Sequence, residues 1–251
     1  MSAFATVIYK KEGPVAWVTL NRPHALNAYN TVMRDELYQV LQAVRDDPEV
    51  EGVILRGAGE RAFCAGADLT EFGTAPSPAI ARQARWARDI WGLFLTVRQP
   101  LVAALHGFVL GSGLEIALCC DLRVAAENAV LGLPEVGLGM IPAAGGTQTL
   151  PRLVGLGPSL ELLLTGRRLG ATEAHALGLV SEVVAPHELL PASRRLLEGA
   201  LRGGPLAVRL AKQAVWEGSD LPLDRGLALE RRLASLALSR RAGRAGRRRR
   251  V

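Results

Sequence analysis

Two glutamates stand in otherwise apolar surroundings, where a charged side chain is costly to bury. Glu115 lies in HGFVLGSGLEIALCCD just after a glycine turn, and Glu135 lies in GLPEVGLGMIPAAGGTQ. A buried carboxylate must be paired, be neutralised by a raised pKa, or serve a function. For either glutamate alone, a hydrogen-bonded structural acid is the simpler interpretation. Two carboxyls facing one pocket can instead divide acid and base work, so the pair predicts acid–base chemistry.

The glycine turn GSGL at 111–114 predicts a site for negative charge. It leads from an apolar strand into a helix predicted to begin near Leu114, and N–H groups at a helix start are unpaired and favour anions. The N–H of Ser112, together with one near Ala67 in FCAGADL, would suit a developing oxyanion. The sequence leaves open whether these two segments meet. Dinucleotide binding is excluded, because Ile116 stands where the fingerprint needs a third glycine.

Length and composition predict a globular chain. With 251 residues and 49% apolar content, the protein fits one large domain or a domain with an appendage. No apolar run approaches the roughly 20 residues of a membrane span, and the first residues lack a signal pattern. We therefore expect a cytoplasmic location and no membrane partner. The three cysteines have no disulfide or metal-ligand spacing, so no metal site is expected.

The net charge of +6 is concentrated at the end of the chain. Residues 240–250, RRAGRAGRRRR, hold seven arginines and no acid, which leaves the rest close to neutral. A solvated, disordered tail is the favoured interpretation of this segment. The alternative is that the tail binds RNA, DNA or another anionic surface through phosphate contacts.

The pattern of apolar residues predicts strands that alternate with helices, which is typical of an α/β core with crossover connections. Beyond residue 190 only amphipathic, leucine-rich helices are predicted. The predicted elements are a hairpin at 4–23, a helix at 30–47, a strand at 50–59, a compact loop at 61–69, a helix at 79–97, a continuous buried strand at 101–110, a helix at 114–120, strands at 122–126 and 129–133, and a helix from about 143.

Four segments in order resemble the enoyl-CoA hydratase/isomerase family, also called the crotonase family. They are NRPHALNAYN, RAFCAGADL, the long segment from HGFVLGSGLEIALCCD to PRLVG, and LTGRRLGATEAHALGLVSEVV. The resemblance covers roughly residues 4 to 236 and implies an α/β fold built as a spiral of ββα turns. It also implies a core at 1–190 with an acyl-CoA site, a helical trimerisation region at 191–238, and homotrimers or hexamers. The tail at 239–251 is expected to be disordered.

The same resemblance implies an enoyl-CoA hydratase, which adds water across the 2,3-double bond of a 2-enoyl-CoA thioester. Glu115 would take a proton from water and Glu135 would deliver one to the α-carbon. The N–H groups of Ala67 and Ser112 would form the oxyanion hole for the thioester oxygen. Coenzyme A is part of the substrate, so no separate cofactor is expected. The implied contacts to coenzyme A come from Ala25, Leu26, Ala65, Asp68, Leu69 and Thr70.

Some positions depart from the family pattern. Relatives often carry lysine where this chain has His24 and Thr70, so phosphate contacts would have to come from elsewhere. Arg22 is a candidate replacement, and an exposed arginine of little effect is the alternative. The family's C-terminal aromatic and basic residues have no match in SRRAGRAGRRRRV.

Aromatic residues and one histidine near these motifs have two interpretations each. Trp86, Trp91 and Phe94 are candidates for an acyl pocket, although aromatics at helical spacing more often pack in a core. His106 precedes the glycine turn, and we predict a hydrogen-bonded structural histidine rather than a base.

Two alternative functions stay open. A 3-enoyl to 2-enoyl-CoA isomerase needs one acid near Glu135 and no second carboxylate, so Glu115 argues against it. The chain also resembles the methylglutaconyl-CoA hydratase branch, whose members include RNA binders, in FCAGADL and PLAVRLAKQAV. Against RNA binding, LQAVRDDPEVEG is acidic where a basic helix would be needed, which leaves the arginine tail as the candidate.

Overall fold

Two sheets form the centre of the molecule. The computed structural model describes the backbone of residues 4–77, 79–80, 83 and 87–248, and side chains up to residue 239. The strands are β1 (Val7–Glu12), β2 (Val15–Leu20), β3 (Gly52–Gly57), β4 (Ala62–Cys64), β5 (Leu101–Leu105), β6 (Phe108–Leu110), β7 (Leu122–Ala126), β8 (Val130–Gly132), β9 (Leu169–Gly170) and β10 (Glu182–Val184).

Helices lie between and after the strands. They are α1 (Thr31–Asp46), α2 (Ile90–Thr96), α3 (Ser112–Leu118), α4 (Gly146–Val154), α5 (Leu156–Thr165), α6 (Ala171–Ala176), α7 (Leu189–Leu201), α8 (Pro205–Gly218) and α9 (Leu223–Arg248). In the part of the chain that the structure describes, no helix is both long and apolar enough to cross a bilayer.

The sheets are built from a repeating strand–strand–helix unit. One sheet has the order β1-β2-β3-β5-β7-β10 and the other the order β4-β6-β8-β9. The segments β3–β4–α2, β5–β6–α3 and β7–β8–α4 each place their first strand in the larger sheet and their second in the smaller one. Successive units add parallel neighbours to both sheets. The predicted spiral of ββα turns is therefore confirmed.

The first elements follow their sequence pattern closely. β1 and β2 form the predicted antiparallel hairpin, with Gly13 in the turn at a φ of +59°. The Asn30 side chain caps α1 by accepting the Met33 N–H at 2.9 Å. The apolar face of α1 is fully buried against the sheet, through Met33, Leu37, Val40, Leu41 and Val44.

The continuous strand predicted for LVAALHGFVL is wrong. It consists of β5 and β6, which belong to different sheets. Gly107 separates them at a φ of +52°, a backbone conformation that glycine adopts without steric cost. A methyl group at this position would also overlap the carbonyl oxygen of Arg61. Because both strands are apolar, only the glycine between them signalled the break.

Two further predictions near the site are refined. The compact loop at 61–69 begins with a short strand, β4, which pairs with β6. Of the helix predicted at 79–97, α2 covers Ile90–Thr96, and residues 79, 80, 83 and 87 are helical. Positions 81, 82 and 84–86 of this prediction lie outside the described residues.

The C-terminal helices do not divide at the predicted boundary. α7 packs its buried Leu189, Ala192 and Leu197 on the larger sheet, so the boundary placed at 190 falls inside a helix of the core. α8 and α9 pack on one another through Leu210, Leu229 and Leu233. The backbone of α9 continues to Arg248, where the sequence had predicted a disordered tail from residue 239. Alanine and arginine, frequent in this stretch, are both good helix formers.

Candidate active site

Close backbone packing brings the two predicted donor segments together. A methyl group at Gly113 would overlap the Cys64 carbonyl oxygen, so α3 approaches the end of β4 as only a glycine allows. Gly111 is the N-cap of α3 and has a φ of +51°, and a methyl group there would lie 3.6 Å from the Cα of Gly66. The turn 111–112 and the loop 66–67 are therefore direct neighbours, which the sequence alone did not establish.

The backbone geometry leaves the N–H groups of Ala67 and Ser112 directed away from their own elements. Ala67 and Tyr29 are paired in a parallel bridge. The Tyr29 N–H donates to the Gly66 carbonyl and the Asp68 N–H donates to the Tyr29 carbonyl, both at 2.8 Å, so these bonds involve the neighbours of Ala67 rather than Ala67 itself. In extended backbone, successive N–H groups point to opposite sides, so that of Ala67 points away from Tyr29. Ser112 is the first residue of α3, where an N–H has no acceptor within the helix.

Glu115 is almost completely buried and is held by backbone donors. Its side chain is 2% exposed, and Oε1 accepts the N–H groups of Ala144 at 2.8 Å and Gly146 at 3.0 Å. Gly146 is the first residue of α4, so the carboxylate also lies at the positive end of a helix. A methyl group at Gly146 would lie 3.1 Å from this oxygen, which explains the glycine. These donors stabilise the charged form of Glu115.

Glu135 lies in a different environment, on the 3₁₀ turn Glu135–Leu138 that follows β8. Its Oε1 lies 3.1 Å from the point that a methyl group on Gly111 would occupy, directly beside the start of α3. Its Oε2 is buried and has no hydrogen-bond partner among the described residues. Burial raises the pKa of Glu135 above its ordinary value, and the negative charge of Glu115 raises it further. The structure thus brings the two predicted carboxyls close enough for the charge of one to raise the pKa of the other.

A cavity opens beside the residues that hold Glu115. Its volume is about 600 Å³, and it is lined by Asp89, Trp91, Gly92, Leu95 and residues 143–145. Trp91 contacts the ring of Tyr29, with ring centroids 5.8 Å apart. Phe94 is instead 2% exposed and packs in the core, so the two aromatic residues have different surroundings. Trp86 lies outside the described residues.

The residues predicted to contact coenzyme A lie on two adjoining loops. The Ala65 N–H donates to the Leu26 carbonyl at 3.1 Å, which joins the loop of Ala25 and Leu26 to the loop at 65–70. Asp68 caps the turn Leu69–Glu71 by accepting the N–H of Thr70 at 3.1 Å and its hydroxyl at 2.7 Å. Leu69 and Thr70 are exposed beside it. The loop at 65–70 contains Ala67, so the loop of Ala25 and Leu26 is joined to the segment that carries one of the two predicted donors.

Arg22 is largely buried and has a structural partner, so the alternative of an exposed arginine of little effect is wrong, and the contact to phosphates stays a prediction. Its guanidinium forms a largely buried ion pair with Asp68 at 2.9 Å and donates to the Ala28 carbonyl at 2.6 Å. The hydrogen bond from Thr70 lowers the pKa of Asp68, and the bond from Arg22 lowers it further. Arg22 therefore fixes the loops to one another. His24 and Thr70 are exposed, as expected for positions facing a ligand or solvent.

His106 has the surroundings of a structural residue. It lies between β5 and β6, and its backbone carbonyl accepts the Phe63 N–H at 2.8 Å. Burial lowers the pKa of its imidazole, while a hydrogen bond with the Gly59 backbone opposes that shift. Its Nε2 atom is buried and has no hydrogen-bond partner among the described residues, so the fully hydrogen-bonded structural role stays a prediction.

Asn27 is the residue that sequence reasoning missed. It is fully buried in the left-handed region, at a φ of +55°. Its amide group donates to the carbonyls of Ala58 at 2.9 Å and Ala62 at 2.8 Å, and its oxygen accepts the Arg22 N–H at 2.9 Å. It therefore fastens the 22–28 loop to Ala58 and to the first residue of β4. The only sequence signal was an asparagine between apolar residues, a type that tolerates positive φ.

Asn27→Ala is expected to lower the free energy of unfolding by about 3 kcal/mol, because it leaves buried carbonyls unsatisfied. Urea denaturation would measure the change. The matched control is Asn128→Ala, since Asn128 is exposed and makes only a 3.5 Å contact to the Gly107 N–H. The control should stay within about 0.5 kcal/mol of the wild type. Equal effects of the two substitutions would contradict the role given to Asn27.

The fold is a two-sheet α/β architecture that brings two glutamate carboxyls to the start of α3, beside the loop at 66–67. The chain belongs to the enoyl-CoA hydratase/isomerase family, whose sequence model matches residues 10–249. It is 42% identical to a crotonyl-CoA hydratase of Syntrophomonas wolfei, over 91% of this chain and 88% of the relative. It is also 42% identical to a short-chain-enoyl-CoA hydratase of Clostridium acetobutylicum, over 89% and 86%.

Solved structures show the same likeness. The crystal structure of an enoyl-CoA hydratase from Bacillus anthracis superposes with a TM-score of 0.87 at 40% sequence identity. The superposition covers 92% of this chain and 90% of that one. The family resemblance noted in the sequence is therefore confirmed, over nearly the whole described chain.

Proposed function

We propose that the protein is an enoyl-CoA hydratase, which adds water to the 2,3-double bond of a 2-enoyl-CoA thioester to give a 3-hydroxyacyl-CoA. The observation that carries the proposal is the meeting of Glu115 and Glu135 at the start of α3. One carboxyl is stabilised as the anion by two N–H donors, and the other is biased toward the protonated form. Two such acids suit the addition of water, which needs one proton removed and one delivered.

In the proposed mechanism a water molecule lies between the two carboxyls. Glu115 accepts a proton as the water oxygen bonds to the β-carbon, and the electron pair of the double bond moves toward the thioester carbonyl. Negative charge develops on the thioester oxygen, where the N–H groups of Ala67 and Ser112 stabilise it. Protonated Glu135 then delivers its proton to the α-carbon. In other enzymes, removing one hydrogen-bond donor from an oxyanion hole lowers the rate by about 10²- to 10³-fold.

The loops at 25–26 and 65–70 are proposed to hold the coenzyme A portion through Ala25, Leu26, Ala65, Asp68, Leu69 and Thr70. Their support is the hydrogen bond that joins them and their position next to Ala67. The cavity lined by Trp91 and Leu95 also borders Ala144, which donates to Glu115, and it is the proposed place for the acyl chain. The absence of any separate cofactor stays a prediction, as does the cytoplasmic location.

A hydration assay tests the proposal. Crotonyl-CoA loses the ultraviolet absorbance of its conjugated thioester when water adds, and the 3-hydroxybutyryl product can be identified by mass. We expect turnover at saturating crotonyl-CoA to be prevented by substitution of either glutamate. Folded protein that leaves crotonyl-CoA and longer, branched or dicarboxylic 2-enoyl-CoAs unchanged would refute it. Conversion of only a 3-enoyl-CoA would favour the isomerase instead.

An apolar row on α5 supports self-association of the chain. Leu156, Leu160 and Leu164 recur at four-residue spacing on one face and are 68%, 44% and 72% exposed. Such a row is costly to leave in water, and we propose that a second copy of this chain covers it in a trimer or a dimer of trimers.

RNA binding by the arginine tail is an alternative role for that segment only. Its signature would be an affinity that falls steeply with salt and disappears when residues 240–250 are removed.

A further inference from the structure

Gly166, in the LTGRR motif, lies directly against the residues on either side of Glu135. It ends α5 at a φ of +63°. A methyl group at this position would lie 3.2 Å from Cγ2 of Val136 and 3.4 Å from the Cα of Pro134. The distance to Val136 is tighter than ordinary van der Waals contact, so a side chain at 166 would require Val136 to give way by a few tenths of an ångström.

The turn that carries Gly166 is held firmly. The Gly166 N–H donates to the Leu162 carbonyl at 3.0 Å, which closes the end of α5. Next to it, the Arg167 guanidinium is bonded to Glu161 at 2.6 Å and to Glu173 at 2.8 Å. β9 follows immediately and pairs with β8 through Leu131 and Leu169. We expect a clash at Gly166 to move the 134–136 segment, because the Gly166 turn is anchored on one side by the end of α5 and on the other by the pairing of β9 with β8.

The segment 134–136 has little freedom to absorb the contact without moving Glu135. The Gly137 N–H donates to the Pro134 carbonyl at 3.0 Å, and the Met140 N–H donates to the carbonyl of Glu135 itself at 3.1 Å. Proline has a fixed φ, and valine is stiff at its first side-chain torsion. A shift of Pro134 or Val136 consequently displaces the carboxyl between them.

We propose that Gly166 is a positioning residue for Glu135, in that its missing side chain sets where the 134–136 turn rests and so where the proton donor lies. The inference rests on the proposed hydratase function and deepens it. A misplacement of about 1 Å at a reacting group can cost on the order of 10²-fold in rate. A displacement of a few tenths of an ångström is therefore expected to cost Gly166→Ala roughly tenfold in kcat.

The test compares Gly166→Ala with Gly178→Ala. Gly178 ends α6 at a φ of +75°, and a methyl group there meets nothing within 4 Å. The two substitutions share the backbone strain of alanine at positive φ, and only one adds the contact to Val136. We expect similar melting temperatures for both, a roughly tenfold lower kcat for Gly166→Ala alone, and a KM for crotonyl-CoA within about twofold of wild type. Gly166→Asn, which tolerates positive φ better, should reproduce the kcat loss.

Val136→Ala supplies the rescue. It removes the Cγ2 atom nearest to Gly166, so kcat of the double variant Gly166→Ala/Val136→Ala should recover toward that of Val136→Ala alone. Equal kcat values for Gly166→Ala and Gly178→Ala would overturn the proposal, and so would a double variant that shows no recovery. A folded wild type without hydratase activity would refute the proposed function instead. Crystal structures of Gly166→Ala would then decide the positioning role, which requires 134–136 to move while 166–168 stays in place.

Discussion

Glu115→Gln is expected to lower kcat for hydration of crotonyl-CoA by about 10²- to 10⁴-fold, the usual contribution of a positioned acid or base. The amide has the shape of the carboxylate but cannot accept a proton from water. Its oxygen can still accept the N–H groups of Ala144 and Gly146, so the fold around it should persist. Affinity for butyryl-CoA, a saturated thioester that cannot be hydrated, should change by less than about threefold.

The control for this prediction is Glu60→Gln, because Glu60 is an exposed glutamate outside the site. It should leave both kcat and butyryl-CoA affinity unchanged. Steady-state kinetics and isothermal titration on the three proteins give the comparison. If Glu115→Gln retains more than about a tenth of the wild-type kcat, Glu115 is not the base.

Glu135→Gln is expected to abolish hydration to a similar extent while stabilising the fold. The loss of activity follows because glutamine cannot deliver a proton to the α-carbon. The gain in stability follows because the folded protein disfavours the Glu135 carboxylate through burial and through the charge of Glu115. The buried Oε2 also has no hydrogen-bond partner among the described residues. Active sites often contain a group that lowers the stability of the fold, because function requires that group at that place.

The pH dependence of this gain has a definite sign. A carboxyl whose pKa is raised on folding binds its proton more tightly in the folded state, so its contribution to stability falls as pH rises. The loss begins near the unfolded pKa of about 4.3 and is complete above the raised folded pKa. Urea unfolding of wild type and Glu135→Gln from pH 4 to pH 8 should therefore show a difference that grows with pH and then levels off. A difference that stays constant would contradict the raised pKa.

Much of the site could be predicted from local pattern. Glu115 and Glu135 were conspicuous because an acid between apolar residues is rare without a partner or a function. The glycines around them were equally informative, since Gly111 caps α3 with a positive φ and α3 packs on β4 through Gly113. Helices with regular apolar spacing, such as α1, were predicted to within a residue.

What the sequence could not supply were contacts between distant segments. The hydrogen bonds from Ala144 and Gly146 to Glu115 join residues about thirty positions apart, and no local periodicity encodes them. Asn27 and the pairing of Arg22 with Asp68 are of the same kind. The break between β5 and β6 was missed for another reason, because two buried strands and one longer strand have the same apolar composition.

The most direct test of the central claim is the ratio of two activities in one preparation of the wild-type protein. The measurement compares kcat/KM for hydration of crotonyl-CoA with kcat/KM for conversion of 3-hexenoyl-CoA to its 2-enoyl isomer. A site with two working carboxyls should favour hydration by at least about tenfold, and Glu115→Gln should reverse that preference by removing the base for water. A preference for isomerisation in the wild type, unchanged in Glu115→Gln, would contradict the assignment of Glu115 and Glu135 as a hydrating pair.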